Sequence, residues 1–341
     1  MPRPDSDPTP PTLPGRKADH LRIAAGPGIQ HGAGAGLDAV RLRHRALPER
    51  DLADVTLDCE LLGARLRAPL LISAMTGGAE AATEINRRLA DAAAEHGVAL
   101  VLGSGRPLLD DPSLLPTYRA PGSARPPLLL ANLGAAQIRS PAAADRAERL
   151  VELLDADGLS IHLNAVQEAV QPEGEPEFSG VLDGIAAIVT RLAPRPVVVK
   201  EVGFGMDAED VRALAATGAA AVDVAGAGGT NWALIEGRRD PRAGAVAAAF
   251  GDWGVPTVDA LAHALPAGVP VIASGGLRHG VDVAKCLALG AVAAGLARPF
   301  LIAARENRAG GALREVLAQL RIATWAAGAP AAAALGREHL R

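Results

Sequence analysis

Aromatic side chains are scarce in this chain of 341 residues, which holds four Phe, three Trp and one Tyr. So few ring faces leave little on which bases could stack. With 38 acidic against 34 basic residues the formal net charge is −4, so there is no electrostatic footprint for a phosphate backbone, and no nucleic-acid partner is expected. Cysteine is nearly absent. Cys59 and Cys286 stand far apart without metal-ligand spacing, which excludes a disulfide framework and a cysteine zinc site and suits a reducing, cytoplasmic setting. Long apolar runs are missing too: the longest stretch without a formal charge, 260–277, contains Pro266, Gly268, Pro270, Gly275 and Gly276, which a membrane helix rarely tolerates. No membrane partner is expected. The opening MPRPDSDPTPPTLPG has six prolines and no apolar run, and residues 1–15 read as a disordered Pro-rich tail, neither a signal peptide nor a helix.

What the chain has is alternation. Short apolar runs suited to fully buried strands begin at Pro69, Val98, Pro127, Gly158, Pro196, Ala220, Val269 and Ala291. Each is followed by a turn and an Ala/Leu-rich segment with helical spacing, several ended by a glycine suited to a left-handed cap. Eight such units imply parallel strands and a (β/α)8 TIM barrel over residues 69–341, with its site at the C-terminal strand ends. An open doubly wound sheet would need a GxGxxG turn after the first strand, where this chain has MTGGAEA. Residues 16–68 read as an N-terminal extension packed on the barrel, with a Gly-rich loop GAGAGLDAV inside it.

Barrel strands have no packing need for polar residues at their C-terminal ends, so those found there are candidates for chemistry. They include Ser73 and Thr76, Ser104 and Arg106, Asn132, His162 and Asn164, Lys200 and Glu201, and the loop from Gly226 to Asn231. SGGLRHG and GLARPF follow the last two strands, where barrels hold phosphate: Gly276, Leu277 and Arg278 would offer main-chain N–H groups, with Ala297 and Arg298 opposite. Lys200 ends the apolar run VVVK, and a buried ammonium requires a partner, either Glu201 or a delocalised anion such as a reduced flavin. In HLNAVQE, His162 and Asn164 share a strand face while Gln167 and Glu168 follow in the loop or first helical turn. The amides suit orientation of a phosphorylated substrate, and the single carboxylate suits Mg2+ shared with substrate phosphate oxygens. Arg16, Lys17 and His20 form a basic cluster beyond the tail that could cap an anion, and Arg106 adds a cation at the rim.

RKADHL, HRALPE, PLLISAMTGG, ANLGA, IHLNAVQE with QPEG behind it, VKEVGFGM, DVAGAGGTNWALIE, DWGVPT, SGGLRHGVDVAKCLALGA and GLARPFL occur in that order over about residues 16–335. Together they resemble the type 2 isopentenyl-diphosphate isomerases. The resemblance implies an FMN-dependent isomerase that shifts the double bond between isopentenyl and dimethylallyl diphosphate, uses Mg2+ and NADPH as reductant, and assembles as a homotetramer or homo-octamer. By position it assigns FMN to Ser73, Ala74, Met75, Thr76, Ser104, Asn132, Lys200, Thr230, Gly276, Leu277, Arg278, Ala297 and Arg298. It assigns the prenyl diphosphate substrate to Arg16, Lys17, His20, Arg106, His162, Asn164 and Gln167, the metal to Glu168, and catalytic roles to His162, Gln167 and Lys200. The chain departs from the pattern at Gly105, Pro107 and Val181. The alternatives are another FMN-dependent barrel oxidoreductase, or a flavin-binding relative acting on a different prenyl diphosphate.

Overall fold

A computed structural model describes residues 13–341. All eight expected strands form: β3 (Leu70–Ile72), β4 (Ala99–Val101), β5 (Leu128–Gly134), β6 (Gly158–His162), β7 (Val197–Lys200), β8 (Ala221–Asp223), β9 (Val271–Ala273) and β10 (Ala293–Leu296). They pair in parallel in chain order, and β10 returns to β3, closing a barrel. Nearly every strand residue is buried because the barrel interior covers one face and the helices cover the other, which is why the sequence shows unbroken apolar runs. Burying a leucine such as Leu100 or Leu130 contributes about 1.5–3 kcal/mol.

The crossover helices follow the spacing. Ala82–His96 buries Ile85, Leu89 and Ala93 and stops where Gly97 turns left-handed at φ 67°. Ala143–Leu154 buries Leu150, Val151 and Leu154, but Asp155 takes the left-handed cap at φ 46°.

Two features ahead of the barrel differ from expectation. A helix, Leu13–Ala25, begins inside the segment read as a disordered tail; Pro14 sits in its first turn, where the missing N–H costs nothing. The rest of that tail, residues 1–12, lies outside the described residues. Further on, β1 (Cys59–Leu61) and β2 (Ala64–Leu66) make a hairpin across Leu62 and Gly63, both at positive φ, as a tight hairpin turn demands. Leu61 and Leu66 pack with the inward-facing Leu71, Val101, Leu128, Val198 and Ile272. The hairpin therefore plugs the barrel floor and leaves the opposite end for a cavity.

Candidate active site

A cavity of about 410 Å3 opens at the C-terminal strand ends. Its walls include Ser73, Ala74 and Met75 after β3, Ser104 and Arg106 after β4, Asn132 in β5, His162 ending β6, and Lys200 ending β7. Thr230, Gly276, Leu277, Arg278, Ala297 and Arg298 come from the last three loops, while Asn164, Gln167 and Glu168 stand at the start of the helix Ala165–Val170. Arg16, Lys17 and His20 complete the rim from the N-terminal helix. One assigned residue stays outside: Thr76 is buried behind the wall, where its main-chain carbonyl accepts from Gly103 and from Asn86.

The glycine loops mesh backbone to backbone. A Cβ on Gly229 would lie 2.5 Å from the main-chain nitrogen of Gly276, and one on Gly228 would lie 2.2 Å from that of Ala35. The Gly-rich N-terminal loop is thereby wedged against the turns after β8 and β9. Main-chain N–H groups of Gly276 and Leu277 have no hydrogen-bond partner among the described residues. Arg278 differs: its N–H goes to Asp282 at 3.0 Å, and its guanidinium pairs with Asp38 at 2.8 Å. Arg298 turns its guanidinium onto the carbonyls of Ala24 and Gly26, tying the C-terminal end of the N-terminal helix to the barrel.

Cross-strand register lays a polar row over the barrel mouth. Asn132 Oδ1 meets His162 Nδ1 at 2.7 Å, His162 is paired with Lys200, Lys200 with Asp223, and Asp223 accepts from Ser274 Oγ at 2.6 Å. Burial, with Lys200 and Lys17 adding positive charge, pushes His162 down to about 3, so its imidazole is neutral and Nδ1 donates to Asn132. Of the two partners expected for Lys200, the Glu201 carboxylate is not taken: the ammonium donates to the main-chain carbonyl of Glu201. Glu201 instead accepts the N–H groups of Val202, Gly203 and Phe204, and burial lifts it to about 7.

Past His162, the other HLNAVQE polar residues gather. Asn164 donates to Glu168 Oε1 at 2.8 Å, and Glu168 Oε2 accepts the Glu175 N–H at 2.8 Å. Gln167 donates to Glu236 Oε1 at 2.8 Å, and His20 Nε2 lies 2.9 Å from the same oxygen. Glu236 is fully buried, which alone would raise its pKa, but His20, Gln167 and Arg239 outweigh burial and hold it at about 2. Lys17 is lowered to about 8 by burial and by Arg16 beside it. Arg106 pairs with Glu175 at 2.6 Å. At the departing positions, a Cβ on Gly105 would come 2.5 Å from Leu150, and Pro107 lines the cavity.

Sequence reasoning passed over Glu236, Arg239, Gln171 and Trp232. The available signal was an acidic residue three positions before an arginine in a helix whose neighbours Ala233 and Ile235 are apolar and buried.

Solved structures share this architecture. A mandelate oxidase variant with a monooxide FMN adduct superposes with a TM-score of 0.65 at 22% identity, covering 96% of each chain. A flavocytochrome b2 double mutant with pyruvate bound gives 0.69 at 19% identity, covering 96% of this chain and 82% of that one. At such identities these establish the fold. Residues 12–107 and 159–341 match the family described as FMN-dependent dehydrogenase. The isopentenyl-diphosphate delta-isomerase of Synechococcus sp. is 46% identical over 91% of this chain and 91% of its own. That of Xanthobacter autotrophicus is 47% identical over 94% and 96%. The chain belongs to the type 2 isopentenyl-diphosphate delta-isomerase family. The cavity of this FMN-dependent family member is lined by the main-chain amides of Gly276 and Leu277 and by the cations Arg16, Lys17 and Arg106, with the Glu236 carboxylate buried behind Gln167.

Proposed function

We propose that this chain interconverts isopentenyl and dimethylallyl diphosphate at the barrel mouth, with reduced FMN as its acid/base group. The observation that carries the reading is the division of one cavity: glycine loops with open N–H groups at Gly276 and Leu277, and Arg16, Lys17 and Arg106 across from them.

The residues present fit FMN. Glycines whose added Cβ atoms would strike backbone leave a cradle for one terminal phosphate, completed by Ala297 and Arg298. Ser73, Ala74, Met75, Ser104, Asn132 and Thr230 would line the ring and ribityl chain, with Lys200 against the anionic reduced ring. No dinucleotide turn accompanies them, which favours FMN over FAD. Mg2+ fits only as a shared ion: no cluster of three His, Cys, Asp or Glu exists among the described residues, so Glu168 would hold it together with diphosphate oxygens. Reduced FMN, when bound, supplies the proton donor and acceptor for the alkene.

The chain's own groups do the rest. Arg16, Lys17, Arg106, His162 and Asn164 would bind the diphosphate and fix its tail. Moving the double bond passes through a tertiary, cation-like state, which water would quench. Gln167 orients the reacting carbons, and the ionised Glu236 behind it places negative charge where positive charge develops. His20, whose pKa burial lowers, stands 2.9 Å from the same carboxylate oxygen. A hydroxy-acid oxidase would need a rim histidine base after a late strand; the loop after β8 carries Ala225, Gly226 and Ala227, and His279 after β9 caps the helix Gly280–Leu289 outside the cavity walls.

In this reading NADPH is the reductant, the protein works in the cytoplasm as a homotetramer or homo-octamer, and residues 16–68 form a substrate-binding extension of the catalytic barrel. No helix among the described residues is long and apolar enough to cross a membrane. The test is anaerobic incubation of the protein with FMN, NADPH, Mg2+ and isopentenyl diphosphate. Dimethylallyl diphosphate is the expected product. Its absence, with FMN bound and reduced, would refute the assignment.

A further inference from the structure

Behind Gln167 a chain of charges runs from Glu236 to Arg239 and Glu173, two residues that the reaction as described does not use. Glu236 stands on the helix Trp232–Arg239 with no solvent exposure. Its Oε1 faces Gln167 and His20; its Oε2 faces away from the cavity residues and accepts from Arg239 Nε at 2.8 Å. Arg239, whose side chain is 4% exposed, reaches with its other arm to Glu173 Oε2 at 2.6 Å, in the QPEG turn. Glu173 Oε1 lies 3.9 Å from Arg16 on the N-terminal helix.

We propose that Arg239, braced by Glu173, is a positioning residue that keeps the negative charge of Glu236 in place behind Gln167. This rests on the reading of Glu236 given above. Gln167 carries no charge, and burial lowers the pKa of His20, so Arg239 is the one permanent cation within ion-pair reach of Glu236 among the described residues. Removing one partner of a buried pair strands the other, and a stranded carboxylate takes up a proton. The other charged or titratable groups around it are Arg16, Lys17 and His20 on the N-terminal helix, Glu168 on the helix after β6, and Glu173. None of these hydrogen-bonds Oε2. Glu173 keeps the guanidinium from rotating away, so the brace joins the QPEG turn and the N-terminal helix to the reacting end of the cavity.

The sign follows directly. With Arg239 present Glu236 is charged above about pH 2; without it one of the groups that offset burial is gone while His20 and Gln167 remain, so the carboxylate protonates at a higher pH. The test is the pH dependence of kcat for the reduced holoenzyme. Arg239→Met should lower kcat by about 10- to 100-fold, move the acid limb up by about one pH unit or more, and change KM less than kcat. Arg239→Lys should restore part of both, and Glu173→Gln should give a smaller shift in the same direction. An acid limb in Arg239→Met identical to wild type overturns the proposal. Should Arg239→Met fail to fold or to hold FMN, Glu173→Gln decides, since an unmoved limb there is equally fatal. Glu236→Gln is run alongside: full activity in that variant refutes the underlying role of Glu236, whereas an inactive Glu236→Gln with unmoved limbs refutes only the brace.

Discussion

Lys17 shows how much one residue's surroundings decide. On an exposed helix it would stay charged beyond pH 10, but here burial and Arg16 bring it down to about 8. The ammonium is present below that value and lost above it. Affinity for a diphosphate should therefore weaken as pH rises through about 8, seen as a KM that climbs on the alkaline side while kcat holds. Lys17→Arg, which does not titrate in that range, should flatten the climb. A KM independent of pH from 7 to 9 in the wild type would remove Lys17 from the substrate shell. Residues of this kind were legible in the sequence because a basic cluster in an acidic chain stands out. Glu236 was not, because its meaning comes from Gln167 and His20, which lie 69 positions before it and on the N-terminal helix. The lack of a carboxylate partner for Lys200 was equally hidden, since Glu201 could as well have turned its side chain to the ammonium as to the three N–H groups it accepts.

At the scale of elements, the strands were legible and the pieces ahead of them less so. A strand buried on both faces shows as an unbroken apolar run, and eight of these with helical segments between them leave few architectures. The helix Leu13–Ala25 was masked by the prolines before it, and the β1–β2 hairpin by a Leu-Gly turn that lacks the usual Asn or Asp. The glycine loops after β8 and β9 carry a sharper consequence. Gly229→Ala would push a methyl group to 2.5 Å from the Gly276 nitrogen, with backbone on both sides and no side chain able to yield. Overpacking of that kind costs about 1–3 kcal/mol, here charged against the loop that would hold the phosphate. FMN affinity should fall by about ten-fold or more, measured by quenching of flavin fluorescence, with a lowered melting temperature. Unchanged affinity and melting would show that the two loops do not form one cradle.

Across the whole molecule, the barrel supplies a rigid rim, the hairpin closes its floor, and the N-terminal segment returns over the top. Arg298 holds the end of the first helix, Ala35 is wedged between glycine turns, and Lys285 donates to the Leu37 carbonyl at 2.8 Å. In the function proposed, one end of the resulting cavity takes a flavin phosphate and the other an organic diphosphate. The central claim is that the bound flavin must be reduced although substrate and product share one oxidation state. The measurement that reaches it most directly starts from FMN holoenzyme reduced once with dithionite, free of oxygen and of NADPH, then given Mg2+ and isopentenyl diphosphate. The flavin spectrum and the dimethylallyl diphosphate formed are followed together. The account predicts many product molecules per flavin while the spectrum stays that of the reduced form, and none from the oxidised enzyme. Equal turnover by oxidised enzyme, or flavin oxidation in step with product, would contradict it.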